Sequence, residues 1–126
     1  MALAIFDLDN TLLAGDSDYL WGVFLAEQGI VDGAEYEREN ERFYRDYREG
    51  RLDIHEFMRF SLRVLRDNPL EDLLRWRERF LREKIEPIVP TAALELVERH
   101  RAAGDTLLII TATNAFVTAP IAAHFG

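Results

Sequence analysis

The sequence predicts an α/β fold, in which a parallel sheet begins at the first residues and is interrupted after one strand by a helical insert. Two short apolar runs, residues 2–6 and 106–110, do not alternate polar with apolar side chains, which is typical of strands buried on both faces. Between them, residues 18–86 repeat apolar positions at helical spacing and contain short polar breaks. This order of elements favours four consecutive helices packed as a small bundle.

Composition narrows the class of protein. The 126 residues suit one domain, and 48% hydrophobic with 30% charged residues is typical of a folded globular chain. A net charge of −8 argues against a nucleic-acid partner, and the absence of cysteine excludes disulfides, thiolate zinc sites and a thiol nucleophile. The apolar start lacks both the basic flank of a signal peptide and the ~20 apolar residues of a membrane span. We therefore expect a cytoplasmic protein with no membrane partner.

The first two helices of the insert are expected over residues 18–28 and 35–48. Gly29 stands where a left-handed C-terminal cap is favoured, and Gly50 is a natural stop for the second helix. The apolar positions of the second helix are aromatic, and we expect them to form bundle core: Tyr36, Phe43, Tyr44 and Tyr47. A substrate pocket or a homodimer surface is an open alternative for one or two of them.

The last two helices of the insert begin at polar caps. Asp53 opens a capping-box-like pattern, and its helix is expected to run to about Arg66. Asn68 is expected to cap the fourth helix, with Pro69 at its first position. That helix is expected to end before Pro87.

The remainder of the chain returns to an α/β pattern. Thr91 is expected to cap a helix that runs through Arg101 and closes at Gly104, and the second strand follows. A last helix is expected to carry Pro120 in its first turn and to end at Gly126. Two strands do not complete a doubly wound sheet, so we expect the chain to be the N-terminal part of a longer domain.

Polar side chains follow both predicted strands. Residues 7–11 come after the first strand and residues 111–114 after the second, and ligands of open α/β sheets bind at this edge. Asp7 and Asp9 are two apart, so on an extended segment both carboxylates could face one ligand. Carboxylates suit Mg²⁺, while hydroxyls and a helix N-terminus suit phosphate. The pattern predicts a site for a magnesium-bound phosphoryl group.

These residues resemble the motifs of the haloacid dehalogenase (HAD) superfamily. Residues 7–13 (DLDNTLL) after an apolar strand resemble its first motif, DxDx[TV], and Thr111 at the end of a strand resembles its second. The helical insert resembles the C1-type cap of the phosphoserine-phosphatase-like branch, subfamily IB. Residues 15–18 (GDSD) followed by Trp21 support that assignment. The resemblance covers essentially the whole chain and implies a Rossmann-like core with an inserted helical cap.

The resemblance implies a role for four of these residues. Asp7 would be the nucleophile that forms an aspartyl-phosphate, and a Mg²⁺ ligand through its side chain. Asp9 would be the general acid/base and would bind the metal through its backbone carbonyl. Thr11, a candidate for phosphate binding, would help to orient Asp9. Thr111 would hold an oxygen of the transferring phosphoryl group.

Two weaker candidates complete the predicted site. Asp16 would contact the substrate, with the alternative that it only caps the first helix of the insert, and for Asp18 we favour the capping role. Asn114 is a candidate for phosphate binding. The capping of the last helix is left open among Thr111, Thr113 and Asn114, and position favours Thr111 for phosphate.

The chain departs from the family pattern after Thr111. The third motif, a Lys or Arg, and the fourth, an acidic pair, have no counterpart there, since His124 is the only ionisable side chain after it. We therefore expect this chain to hold half of an active site and to be inactive alone. The expected division is a partial core of residues 1–14 and 88–126 with a cap of residues 15–87.

The predicted function is magnesium-dependent hydrolysis of a small phosphorylated metabolite through an aspartyl-phosphate. Phosphoserine and histidinol phosphate are the substrates that the resemblance suggests. Two alternatives are open: a phosphotransferase of the same family, and a non-catalytic module in which the helical insert binds a partner.

Overall fold

The computed structural model describes residues 2–111 and 113–126, which form two strands and six α-helices. Met1 and Ala112, both within the predicted core segments, lie outside the described residues. The α/β class is confirmed. In chain order the elements are β1 (Leu3–Asp7), α1 (Ser17–Glu27), α2 (Gly33–Arg48), α3 (Ile54–Asp67), α4 (Leu70–Phe80), α5 (Thr91–Ala102), β2 (Thr106–Ile110) and α6 (Ala115–His124). None of the helices in the described residues is long and apolar enough to cross a membrane.

The two strands pair in parallel, from Leu3 opposite Thr106 to Asp7 opposite Ile110. The face of β1 that carries Phe6 packs on α5, where the Phe6 and His100 rings lie 5.7 Å apart. The expectation that the strands are buried on both faces is wrong for the described residues. Four apolar side chains of the sheet remain between 45% and 59% exposed: Leu3, Ile5, Leu108 and Ile110.

Packing divides the chain into two compact units. One unit contains Met1–Trp21 with Arg77–Gly126, and the other is Gly22–Trp76. Both divisions fall inside helices, α1 and α4. The core and cap boundaries expected from the sequence remain a prediction about domains.

The core of the unit Gly22–Trp76 is aromatic. The ring of Phe43 lies 5.3 Å from that of Phe57 and 5.2 Å from that of Phe60. Gly22 permits a close helix approach, because a Cβ at this position would lie 2.5 Å from the Tyr36 ring. Phe43, in contact with the Phe57 and Phe60 rings, is buried, as its spacing on α2 predicts.

The expected burial of Tyr44 and Tyr47 is wrong. Their side chains are 63% and 69% exposed. Tyr44 lies about 100° around the helix from the buried Phe43, and Tyr47 lies in the last turn of α2. A tyrosine side chain is also compatible with solvent exposure, since its hydroxyl hydrogen-bonds with water.

Several helix ends follow the sequence signals. Gly29, Gly50 and Gly104 all adopt positive φ angles, the conformation that favours glycine after a helix. Asp53 caps α3, since its side chain accepts hydrogen bonds from the backbone N–H groups of His55 and Glu56.

Two predicted caps are wrong. The Asn68 amide donates to the Val64 carbonyl at 2.9 Å and so closes the end of α3, while α4 begins at Leu70. Thr91 is the first residue of α5, after Pro90 at the capping position. In both places a proline directly precedes the first helical residue. The start of α4 is therefore one residue later than a cap at Asn68 predicts, and the start of α5 is one residue earlier than a cap at Thr91 predicts.

Pro120 lies in the middle of α6, not in its first turn as expected. A proline there has no N–H to donate to the carbonyl four residues earlier, that of Phe116. Arg77 donates to this carbonyl at 3.2 Å, and its guanidinium lies 4.6 Å from the Phe116 ring centroid. The side chain of Arg77 therefore replaces the hydrogen bond that the proline removes.

Replacing Arg77 by alanine should lower the free energy of unfolding by about 1–2 kcal/mol, because the Phe116 carbonyl and ring both lose their partner. The loss should shrink in a Pro120→Ala background, where residue 120 regains an N–H. Urea unfolding of the four proteins measures this, with Arg75→Ala as a control on the same helix. Equal losses in both backgrounds would contradict the account.

A histidine–carboxylate pair ties the start of β2 to α5. His100 Nδ1 lies 2.8 Å from Asp105 Oδ2, and the Ala2 N–H donates to Asp105 Oδ1 at 3.1 Å. A carboxylate only accepts hydrogen bonds, so the histidine nitrogen carries the hydrogen. The hydrogen bond from His100, and then that from Ala2, hold the pKa of Asp105 below its usual value.

The lowered pKa gives stability a defined pH dependence. The carboxylate of Asp105 stabilises the folded state above the usual pKa of about 3.9, and this contribution is lost as pH falls through the lowered folded-state pKa. Asp105→Asn should therefore unfold at lower urea concentration than the wild type at pH 6, with the difference closing as pH falls below about 4. A difference that persists unchanged in acid would show that the charge of Asp105 is irrelevant.

Candidate active site

The polar clusters of the two strands meet at one edge of the sheet. Asp7 ends β1 opposite Ile110 of β2, so the residues that follow each strand leave from the same edge. Hydrogen bonds join the clusters, because Thr111 and Thr113 both donate to Asp9. The convergence of the clusters, which the parallel order predicts, is confirmed.

Asp9 is the residue around which the site is arranged. Its Oδ1 accepts from the Ser17 backbone N–H at 2.7 Å and from the Ser17 hydroxyl at 2.6 Å. Its Oδ2 accepts from the Thr113 hydroxyl at 3.0 Å and from the Thr111 hydroxyl at 3.3 Å. A half-buried carboxylate needs such donors, because the loss of water is otherwise uncompensated.

Asp7 differs from Asp9 in its surroundings. Asp7 is exposed at the end of β1, and the Thr11 hydroxyl donates to its Oδ2 at 3.0 Å. The expected role of Thr11 in orienting Asp9 is wrong, because the turn directs its hydroxyl to the first aspartate. Ser17, which was not among the residues predicted from the sequence, orients Asp9 instead.

Buried leucines fix both ends of the turn after β1. Leu8 and Leu12 are buried, while Asn10 between them is exposed and adopts a left-handed conformation with φ of 59°. Asparagine tolerates this conformation better than most residues. The Asn10 N–H donates to the Gly15 carbonyl at 2.8 Å, and the Leu13 N–H donates to the Leu8 carbonyl at 3.0 Å. The apolar anchors thereby hold the intervening polar residues at the sheet edge.

Asp16 and Asp18 lie at the start of α1, where the sequence alone left their roles open. Asp16 is exposed, and its Oδ1 accepts from the Tyr19 N–H at 3.0 Å, so it caps the helix. The favoured capping role of Asp18 is wrong, since Asp18 lies in the first turn of α1. Burial raises the pKa of Asp18, and the charges of Asp16 and Asp9 raise it further. The contact of Asp16 with substrate remains a prediction.

Asn114 caps α6, where its Oδ1 accepts from the Val117 N–H at 3.1 Å. The cap is thereby assigned among the three candidates. Thr111 Oγ1 accepts from the Thr113 N–H at 3.1 Å, which holds both hydroxyls near Asp9. The predicted phosphate contacts of Asn114 and Thr111 remain predictions.

The donor set fits a magnesium ion in part. The exposed Asp7 carboxylate and the Asp9 backbone carbonyl are hard oxygen ligands, and Mg²⁺ in proteins often takes one or two carboxylates and completes its shell with water and substrate phosphate. Within residues 2–111 and 113–126, no three Asp, Glu, His or Cys side chains group as a metal site. These two oxygens are therefore the contribution that the described residues can make.

Comparison with known proteins defines the class of this protein. The model of the haloacid dehalogenase-like hydrolase family matches residues 4–126, and the chain belongs to that family. The histidinol-phosphatase of Neisseria meningitidis serogroup C (strain 8013) is 45% identical over 124 residues, which are 98% of this chain and 56% of that protein.

Two solved structures share the fold. A Bordetella pertussis Tohama I protein of unknown function superposes with a TM-score of 0.90 at 44% identity, over 99% of this chain and 56% of its own. A phosphoserine phosphohydrolase-like protein from Francisella tularensis subsp. tularensis SCHU S4 gives a TM-score of 0.65 at 18% identity, over 99% of this chain and 54% of its own, which shows the fold alone. The chain spans about half the length of the relatives it matches.

Proposed function

We propose that the protein is a magnesium-dependent phosphatase of small phosphorylated metabolites, with Asp7 as the nucleophile and Asp9 as the general acid/base. The observation that carries the proposal is the contrast between the two carboxylates. Asp7 is exposed at the strand end, while Asp9 is half-buried and held by donors from α1 and from the residues after β2. The exposed carboxylate is accessible to a substrate, and the half-buried one is fixed in place to move a proton.

The proposed reaction has two steps. An oxygen of Asp7 attacks phosphorus, the bond from phosphorus to the ester oxygen breaks, and the leaving alcohol takes a proton from Asp9. A water molecule then gives a proton to Asp9 and attacks the aspartyl-phosphate, which releases phosphate and restores the Asp7 carboxylate. In this proposal Thr111 binds a phosphoryl oxygen through its hydroxyl.

Magnesium belongs to the same proposal, held by the Asp7 carboxylate and the Asp9 carbonyl. When bound, the ion would reduce the repulsion between an anionic nucleophile and an anionic substrate. The helical segment of residues 15–87 is proposed as the cap, and the cytoplasm as the compartment.

Histidinol phosphate is the substrate that we propose to test first. The support is the 45% identity with a histidinol-phosphatase, which extends over 98% of this chain. Phosphoserine is the comparison substrate. Product analysis with and without an added alcohol separates hydrolysis from phosphoryl transfer to an acceptor.

Asp7→Asn in the full-length protein should lower kcat for phosphate release by at least about a thousandfold, because an amide does not displace the ester oxygen. Release of phosphate from histidinol phosphate and from an aryl phosphate measures the effect. Asp32→Asn is a matched control, since Asp32 caps α2 and asparagine is an equally good cap.

Circular dichroism and thermal unfolding should show the same fold for Asp7→Asn and the wild type. Retained turnover in a folded Asp7→Asn protein would refute the assigned nucleophile. A wild-type enzyme that hydrolyses phosphoserine but not histidinol phosphate would refute the substrate while leaving the mechanism intact.

A further inference from the structure

We propose that Ser17 and Thr113 are positioning residues that hold the Asp9 carboxylate from opposite ends, Ser17 on Oδ1 and Thr113 on Oδ2. The proposal rests on the function proposed above for Asp9. It concerns two hydroxyls that the first and second family motifs do not include.

Ser17 gives Oδ1 two donors. Its backbone N–H and its hydroxyl lie 2.7 and 2.6 Å from this oxygen, and the side chain is 0% exposed. The N–H belongs to the first residue of α1, where it has no partner within the helix. A backbone N–H donates in a fixed direction and never accepts, so Oδ1 is anchored as an acceptor.

Thr113 holds the other oxygen. Its hydroxyl lies 3.0 Å from Oδ2, closer than the 3.3 Å of Thr111, and it lies 3.4 Å from the Ser17 hydroxyl. A hydroxyl donates or accepts as required, so it pairs with Oδ2 whether or not that oxygen carries a proton. Both donors to Oδ2 are hydroxyls, so Oδ2 is the oxygen that we expect to exchange the proton.

A purely structural role for Ser17 is the alternative. Helix capping does not explain this serine, because Asp16 caps α1 and the Ser17 hydroxyl instead reaches a carboxylate eight residues earlier. A structural defect lowers activity, and so does a misplaced Asp9 carboxyl. The test therefore needs a readout that depends on proton transfer from Asp9 to the leaving group.

Leaving-group dependence supplies this readout. Phenolate is a poor leaving group that needs the proton of Asp9, whereas 2,4-dinitrophenolate departs without it. In the full-length protein, Ser17→Ala and Thr113→Val should each lower kcat/KM for phenyl phosphate roughly tenfold to a hundredfold, and for 2,4-dinitrophenyl phosphate by less than about threefold. Ser61→Ala and Thr106→Val, which remove hydroxyls outside the proposed site, should leave both values unchanged.

The outcomes separate the proposals. Equal losses on both esters would overturn the positioning role in favour of a structural one, and no loss on either would show that Asp9 does not depend on these hydroxyls. A wild-type protein that hydrolyses neither ester, nor histidinol phosphate, nor phosphoserine would refute the proposed function itself.

Thermal unfolding tests the contact independently of activity. The drop in Tm caused by Ser17→Ala should shrink or reverse in an Asp9→Ala background, because the serine hydroxyl has already lost the carboxylate to which it donates. The same cycle applies to Thr113→Val. Strictly additive changes in Tm would overturn the contact, whatever the kinetics show.

Discussion

The half-buried Asp9 carboxylate is the constraint on which the site depends. A charge in this position is stable only when fixed donors replace the water that it loses, and here the donors come from the start of α1 and from the two threonines after β2. The parallel register of β1 and β2 brings these parts together. The same carboxylate therefore links the fold of the sheet edge to the chemistry proposed there.

Apolar residues set the positions of the polar ones. Leu8 and Leu12 are buried on either side of the exposed turn, so the backbone that carries Asp9 is anchored in the core. After β2, Asn114 caps α6 directly behind Thr111 and Thr113 in the sequence. Within α6, the Arg77 side chain replaces the hydrogen bond that Pro120 removes. Packing and capping at a distance from the carboxylates thus fix the direction of the hydroxyls.

Most of the architecture follows from local sequence signals. Apolar runs place both strands, and glycines after helical segments mark where α1, α2 and α5 end, because these signals depend on residues close in sequence. Starts preceded by proline were predicted less well, as at α4 and α5, since the proline competes with the polar side chain for the capping position. The predicted burial of Tyr44 and Tyr47 is also wrong, because helical spacing determines which face of the helix a side chain lies on but not whether another element covers that face.

The sequence predicts that the polar residues after the two strands meet at one edge of the sheet, but not the hydrogen bonds that connect them. Asp7, Asp9 and Thr111 were identified by their place at strand ends, whereas the partner of Thr11 and the contribution of Ser17 depend on the path of the turn. A serine eight residues after an aspartate carries no periodic signal. Its role emerges only when the fold buries its hydroxyl against the carboxylate.

Trapping the covalent intermediate tests the central claim most directly. The full-length protein would be quenched in acid during turnover of histidinol phosphate, digested, and mapped by mass spectrometry for an acyl phosphate. We expect a phosphoryl group on Asp7 that is absent from the Asp7→Asn protein. A phosphoryl group on Asp9 or on a histidine, or turnover with no acyl phosphate at all, would contradict it.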